Sequence, residues 1–249
     1  MKIFDSHFHI IDHQFPLVAN NGFIPDAFSV EQYQQHTSQL NIMAGAVVSG
    51  SFQAFDQSYL LAALKQLGPG FVGVTQLPAT CPDAEILDLH HSGVRALRFN
   101  LKRGGSEAIQ HIEALAQRVY TLAGWHIELY VDSTELESLY PILMRLPKFS
   151  IDHLGLSATG FSTLLKLIEA GARVKATGFG RVDFNVANAL QKIFSVNPDA
   201  LLFGTDLPGT RAPRAFTPQD FELISSLFST AQQEKIFYKN AADFYHINN

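Results

Sequence analysis

The sequence predicts a single-domain (β/α)8 TIM barrel, on three observations. Short runs rich in β-branched and aromatic residues recur eight times, separated by stretches with apolar residues at i, i+3 and i+4. Eight repeats over 249 residues take about 31 residues each, which suits βαβ units. No G-x-G-x-x-G follows the first run, where an open dinucleotide-binding sheet would carry it.

In order, the strands are expected near Ile3–His9, Ile42–Ser49, Phe71–Leu77, Gly93–Asn100, Trp125–Val131, Phe149–His153, Ala172–Gly178 and Leu201–Asp206. Helical spacing covers Ser106–Ala123, Thr134–Leu146, Phe161–Ala170 and Phe184–Ser195. Ser106 before Glu107 and the run Asp132-Ser133-Thr134 read as helix starts, and Gly171 as a stop. The longest irregular piece, Ile11–Phe28, lies in the first strand-to-helix connection. In a barrel such loops cover the active-site face, so it is either a lid or packing around Phe15, Phe23 and Phe28. No linker, low-complexity tract or charge block divides residues 1–249.

Composition removes several function classes. Lys and Arg number 18 against 23 Asp and Glu, a net charge of −5, so no basic footprint for nucleic acid or an anionic membrane exists. The single cysteine, Cys81, supports neither an internal disulfide nor a cysteine-based zinc site. The opening Met-Lys-Ile-Phe-Asp lacks the apolar run of a signal peptide, and no stretch of about 20 apolar residues occurs. A cytoplasmic protein is expected.

Strand alternation separates barrel-facing from helix-facing side chains. It places Asp5, His7 and His9 on one face of the first strand and Phe4, Phe8 and Ile10 on the other. It also turns Arg98 and Asn100, then His126, Glu128 and Tyr130, then Lys175 and Thr177 inward, while His153 and Asp206 close their strands. Six strands thus aim polar groups inward, several at the C-terminal rim where barrel chemistry sits. Each residue also has a plainer reading. Arg98 could pair with Asp5 or Glu128, Lys175 with Glu128, Asp206 could be a helix N-cap before the Pro208 turn, and His126 suits a packed core position.

Five segments carry a family resemblance: Phe4-Asp5-Ser6-His7-Phe8-His9, Gly93-Val94-Arg95-Ala96-Leu97-Arg98, Gly124-Trp125-His126-Ile127-Glu128-Leu129, Ile151-Asp152-His153-Leu154-Gly155 and Phe203-Gly204-Thr205-Asp206-Leu207-Pro208. In this order they resemble the amidohydrolase-related branch of the amidohydrolase superfamily, closest to 2-pyrone-4,6-dicarboxylate lactonase-like hydrolases. The resemblance implies hydrolysis of a small carboxylated lactone, with Asp206 as general base and His7, His9 and His153 around the substrate carbonyl. It implies Arg98 and Arg181 as carboxylate-binding groups, a role suited to the planar guanidinium fork. Tyr130, Asn100 and Lys175 complete the expected substrate-binding set. Where many relatives carry a histidine after Asp-x-Pro, this chain has Gly209, so that histidine's role is either missing or taken by Arg211 or Arg214.

A metal reading competes. His7, His9 and Asp206, with His153 as a fourth, could ligate a single divalent ion such as Zn2+. The superfamily's histidine at the end of the fifth strand is replaced by Tyr130, and the fourth strand offers no inward lysine to bridge two metals. Hydrolysis without a cofactor is therefore expected. The alternatives are a metal-dependent amidohydrolase or decarboxylase of a small organic acid, and an inactive barrel binding a small anion. The turn Lys102-Arg103-Gly104-Gly105-Ser106 could hold an anionic group, or be a solvated turn.

Overall fold

Each expected strand forms, trimmed at its ends. In the computed structural model, which describes residues 1–247, the strands are β1 (Ile3–Phe8), β2 (Ile42–Val48), β3 (Phe71–Thr75), β4 (Val94–Asn100), β5 (His126–Tyr130), β6 (Phe149–Ile151), β7 (Arg173–Ala176) and β8 (Leu201–Phe203). They pair in parallel and in sequence order in one eight-stranded sheet. The β8–β1 seam is closed by single bonds: Asp206 N donates to His7 O (2.7 Å) and His9 N to Leu207 O (2.8 Å). Asp5 reinforces it, its carboxylate accepting from Thr205 N (2.8 Å) and Thr205 Oγ1 (2.7 Å).

Helices α1 (Val30–His36), α2 (Ser58–Leu67), α3 (Asp83–His91), α4 (Ile112–Ala123), α5 (Leu136–Leu143), α6 (Phe161–Glu169), α7 (Val186–Val196) and α8 (Pro218–Leu227) follow the strands in turn. Their apolar faces, with Leu60, Ile86, Leu115, Leu164, Leu190 and Ile224, pack on outward strand residues such as Phe99, Ile127, Ile151, Val174 and Phe203. After α9 (Thr230–Glu234) and a π-helical turn, α10 (Asn240–Phe244) brings Phe244 and Tyr245 to the barrel interior, against Phe4, Ala44, Ala96 and Leu202. No helix among the described residues is long and apolar enough to cross a membrane.

The first strand corrects the simple alternation. Its ladder to β2 shifts register between Ile3 and Phe4, where the extra residue lies on β2, and again between Asp5 and Phe8, where it lies on β1 and exchanges faces along the strand. Phe4 therefore sits inside, stacked on Tyr245 with centroids 5.1 Å apart. Asp5 turns out toward α1, accepting from Tyr33 Oη at 3.0 Å, while His7 and His9 still face inward.

Helix α4 starts at Ile112, not Ser106. Ser106 Oγ instead accepts from Asn100 N at 2.8 Å, and Gly104 and Gly105 hold positive φ (73° and 80°). A Cβ on Gly105 would lie 2.4 Å from Ser51 O, so this turn is pressed against the loop after β2. The Asp132 cap forms as expected, its side chain accepting from Thr134 N, and Gly171 (φ 109°) follows α6.

Candidate active site

The C-terminal strand ends enclose about 390 Å³ of space, part of it open to solvent. His9, Arg98, Asn100, Tyr130, His153 and Arg181 line it, six of the nine residues expected at the site. His7 and Asp206 lie one layer deeper, 0% and 2% exposed. Arg181 stands between Asp206 and the cleft, donating from Nε to Asp206 Oδ2 at 2.6 Å and from Nη2 to Thr210 O at 3.0 Å.

The other oxygen, Asp206 Oδ1, has no hydrogen-bond partner and lies 3.9 Å from both His7 Nε2 and His153 Nε2. Burial raises the Asp206 pKa above the usual carboxylate value, although the Arg181 charge and hydrogen bond oppose it. Asp206 is not a helix cap: it holds φ 58°, and His153 holds φ 49°. Left-handed backbone at non-glycine residues costs about 1–3 kcal/mol each and clusters at functional sites.

All three rings are neutral around neutral pH. Burial lowers His9 to about 3, with Arg98 contributing, and lowers His7 and His153 well below their ordinary value, helped chiefly by Lys175 and by Arg181 respectively. His9 Nδ1 lies 2.7 Å from Val48 O. A carbonyl only accepts, so Nδ1 carries the proton and Nε2 keeps its lone pair. His153 Nδ1 meets Thr177 Oγ1 at 2.8 Å, and its ring packs on His7 and Tyr130.

Lys175, expected to bind substrate, lies beneath the cleft with no exposed surface. Its ammonium pairs with Glu128, as the plainer reading held, and sits 3.2 Å from His7 Nδ1 and 3.7 Å from Asp152 Oδ1. Arg98 pairs with neither Asp5 nor Glu128 but with Asp152, donating from Nη2 at 2.8 Å, and it also donates to Ser49 O at 2.6 Å. Burial favours the neutral forms of Glu128 and Asp152. Lys175 for the first, and Arg98 then Lys175 for the second, outweigh it and hold both below the usual carboxylate range. Asp152 was legible only as part of the Ile151-Asp152-His153 run; its place beside His7 follows from β6 ending one residue earlier. His126 is the packed histidine expected, buried against Phe244 and Tyr245 and lowered to about 4 by burial.

Loops supply what strand parity could not locate. Phe23, Ser51, Phe52, Arg103, Thr210 and Arg211 complete the cleft lining. Arg211 rather than Arg214 reaches it, with its guanidinium 4.2 Å from the Phe23 ring centroid, whereas Arg214 is held by Asp220. In the suspected anion turn, Arg103 enters the cleft and Lys102 pairs with Asp132 at 2.8 Å. The Ile11–Phe28 segment folds back on itself through an Ile11–Phe28 bridge. It is tied down where Asn20 Oδ1 accepts from Arg211 and Asn20 Nδ2 donates to Arg103 O. Four arginines thus line the cleft, and two of them, Arg103 and Arg211, form no ion pair among the described residues.

Two groups bring ligand atoms within 4.8 Å of one another: His7, His9 and Asp206, and His7, Asp152 and His153. Both need His7. Its Nδ1 is nearer the Lys175 ammonium (3.2 Å) than Asp152 Oδ1 (3.5 Å), and an ammonium has donors only. If Nδ1 accepts from that ammonium, the proton of the neutral ring falls to Nε2, facing Asp206, where an ion would require a lone pair. In this arrangement the residues do not fit a divalent ion.

The amidohydrolase family model matches residues 4–247. The chain is 24% identical over 273 residues to a 2-pyrone-4,6-dicarboxylate hydrolase of Comamonas testosteroni, covering 97% of this chain and 89% of that protein. It is also 24% identical over 262 residues to a 4-sulfomuconolactone hydrolase of Rhizobium radiobacter, covering 96% and 87%. An apo crystal structure from Agrobacterium tumefaciens shares the fold, with a TM-score of 0.88 at 20% identity over 99% of this chain and 96% of that one. The family match opens in β1 and ends beyond α10, so that the barrel and its rim of His7, His9, His153 and Asp206 fall within one matched span, and the chain belongs to the amidohydrolase family.

Proposed function

We propose that the protein hydrolyses a small lactone carrying at least one acid group, without a resident metal. One observation carries this reading: four arginines, two of them without a carboxylate partner, line a cleft over a neutral histidine cluster and a buried aspartate. Guanidinium groups recognise carboxylates by paired charge-assisted hydrogen bonds. The two curated relatives are named for ring esters with acid groups, which agrees with this choice.

Asp206 Oδ1, unpartnered, accepts a proton from the attacking water, and His9 Nε2 offers a second acceptor that orients it. The water oxygen bonds to the ring carbonyl carbon. The carbonyl oxygen takes up the negative charge, met by the His7 Nε2–H and the Tyr130 hydroxyl. The ring C–O bond then breaks, and the proton held by Asp206 passes to the leaving oxygen. A substrate carboxylate that engages Arg181 also loosens its hold on Asp206, so binding and base activation are coupled.

The test is hydrolysis of 2-pyrone-4,6-dicarboxylate and 4-sulfomuconolactone beside an uncharged lactone, 2-pyrone. Turnover of an acid-bearing lactone with kcat/KM at least about tenfold above the neutral ring is expected, since one charge-assisted hydrogen bond is worth about 1.5–3 kcal/mol. Equal turnover of the neutral ring, or no lactone turnover at all, overturns the proposal.

A further inference from the structure

We propose that buried Lys175 is a positioning residue that fixes the proton of His7 on Nε2, so that the His7–His9 pair acts as one hydrogen-bond donor and one acceptor and not as a metal clamp. In its catalytic consequence this rests on the lactonase reading above; the tautomers themselves do not.

The argument starts below the cleft. Lys175 and Arg98 supply two buried cations, and Glu128 and Asp152 two buried anions, linked as Lys175–Glu128 and Arg98–Asp152. This layer is balanced, so a proton added to His7 would be an uncompensated third cation with no water to solvate it. A neutral imidazole has one N–H, and its neighbours decide where it sits. Lys175 is not free to swing away. Its ammonium is anchored on Glu128, whose other oxygen is taken by the Tyr245 hydroxyl from the barrel base and approached by His126 Nε2 at 3.3 Å. The ammonium therefore stays against His7 Nδ1 at 3.2 Å, and Nδ1 must accept.

His9 is held the opposite way. Its Nδ1 meets an acceptor-only carbonyl, Val48 O, at 2.7 Å, leaving a lone pair on Nε2. The two rings lie edge to face with centroids 5.1 Å apart, so the pair presents opposite polarities to a shared space. His7 Nε2 and Asp206 Oδ1, donor and acceptor, face each other across 3.9 Å and neither has a partner, an arrangement that waits for a third group between them.

The experiment begins with the unaltered protein carrying 15N-histidine, with resonances assigned by loss in His7→Gln and His9→Gln. His7 should show a lone-pair-bearing Nδ1 and a protonated Nε2, and His9 the reverse. A protonated His7 Nδ1 would mean that Asp152 Oδ1 owns that contact, and the proposal falls. The second arm is Lys175→Met combined with Glu128→Gln, which removes one cation and one anion together. Here His7 should move its proton to Nδ1, toward Asp152. Zinc affinity should rise by about 10-fold or more, the size of changes at groups that orient a ligand. On 2-pyrone-4,6-dicarboxylate, kcat should fall by about 100-fold with KM changed little, as for loss of one oxyanion donor. An unchanged tautomer and zinc affinity in the folded double variant overturn the proposal. If that variant does not fold, the spectrum of the unaltered protein decides alone. Failure of lactone turnover would strike only the reading above, because tautomer and zinc binding are measured without substrate.

Discussion

Replacing Arg181 with Met should move the acid limb of kcat/KM to higher pH. The base works ionised, so kcat/KM rises with pH through the pKa of Asp206 in the free enzyme. Burial raises that pKa, and Arg181 is the principal group opposing the rise. Its Nε–Oδ2 contact of 2.6 Å joins two side chains only 7% and 3% exposed, so solvent screens it little. Removing it deletes one charge-assisted hydrogen bond, about 1.5–3 kcal/mol. At about 1.36 kcal/mol per pH unit, the midpoint should climb by about one to two units. Loss of a substrate contact would also raise KM, but that lowers kcat/KM at every pH and leaves the midpoint in place. The assay is initial-rate hydrolysis of 2-pyrone-4,6-dicarboxylate across pH 4–9. A midpoint that stays put or falls would show that the titrating base is not the carboxylate beside Arg181.

Asp206→Asn should lower kcat by at least about 100-fold in a protein whose circular dichroism is unchanged; near-full activity would remove Asp206 from the mechanism. Arg211→Met, which strands no buried acid, should raise KM for the dicarboxylate about tenfold or more with kcat within about twofold, as expected for lost ground-state binding. Asp5→Ala should cost about 3–5 kcal/mol, because it leaves the Thr205 and Tyr33 donors without their acceptor at the β1–β8 seam. Thermal unfolding should show it as a fall in Tm of about 10 °C. Activity should survive dialysis against a strong chelator and should not rise when zinc or manganese is added; loss on chelation with recovery on one divalent ion would refute the metal-independent mechanism.

The barrel and its rim were legible because each rests on a local signal. Apolar periodicity marks the strands, and polar residues at strand ends mark the C-terminal face, so strand parity places His9, His153, Arg98 and Tyr130 at one cleft, while Arg181 comes from the family resemblance. What failed to show has physical reasons of its own. The register slip in β1 between Asp5 and Phe8 depends on how its ladder meets β2 and exchanges Phe4 with Asp5, a pairing property that alternation along a single strand does not contain. Lys175 was given the right face but the wrong depth, since parity reports direction and not height along the barrel axis. Arg103 and Arg211 showed only as alternatives, one in a turn that could equally be solvated and one beside Arg214, because they enter the cleft through irregular loops where no period relates neighbouring side chains.

The layer of Arg98, Asp152, Glu128 and Lys175 explains why the site is built on ions at all. Well-packed apolar residues in such a position are often neutral or stabilising by about 1–4 kcal/mol compared with buried pairs. The four ions therefore make poor sense as stabilisers and good sense as a template. Two of them face the rim, Lys175 against His7 Nδ1 and Arg98 over the Tyr130 ring at 5.6 Å, while Glu128 and Asp152 hold those two cations in place. The layer balances its own charge, which favours neutral histidines above it, and Tyr245 holds Glu128, and through it Lys175, from the barrel base. In the proposed mechanism the chemistry at the rim needs only one group to change protonation, Asp206, while the neighbouring donors and acceptors keep the polarity they had before binding.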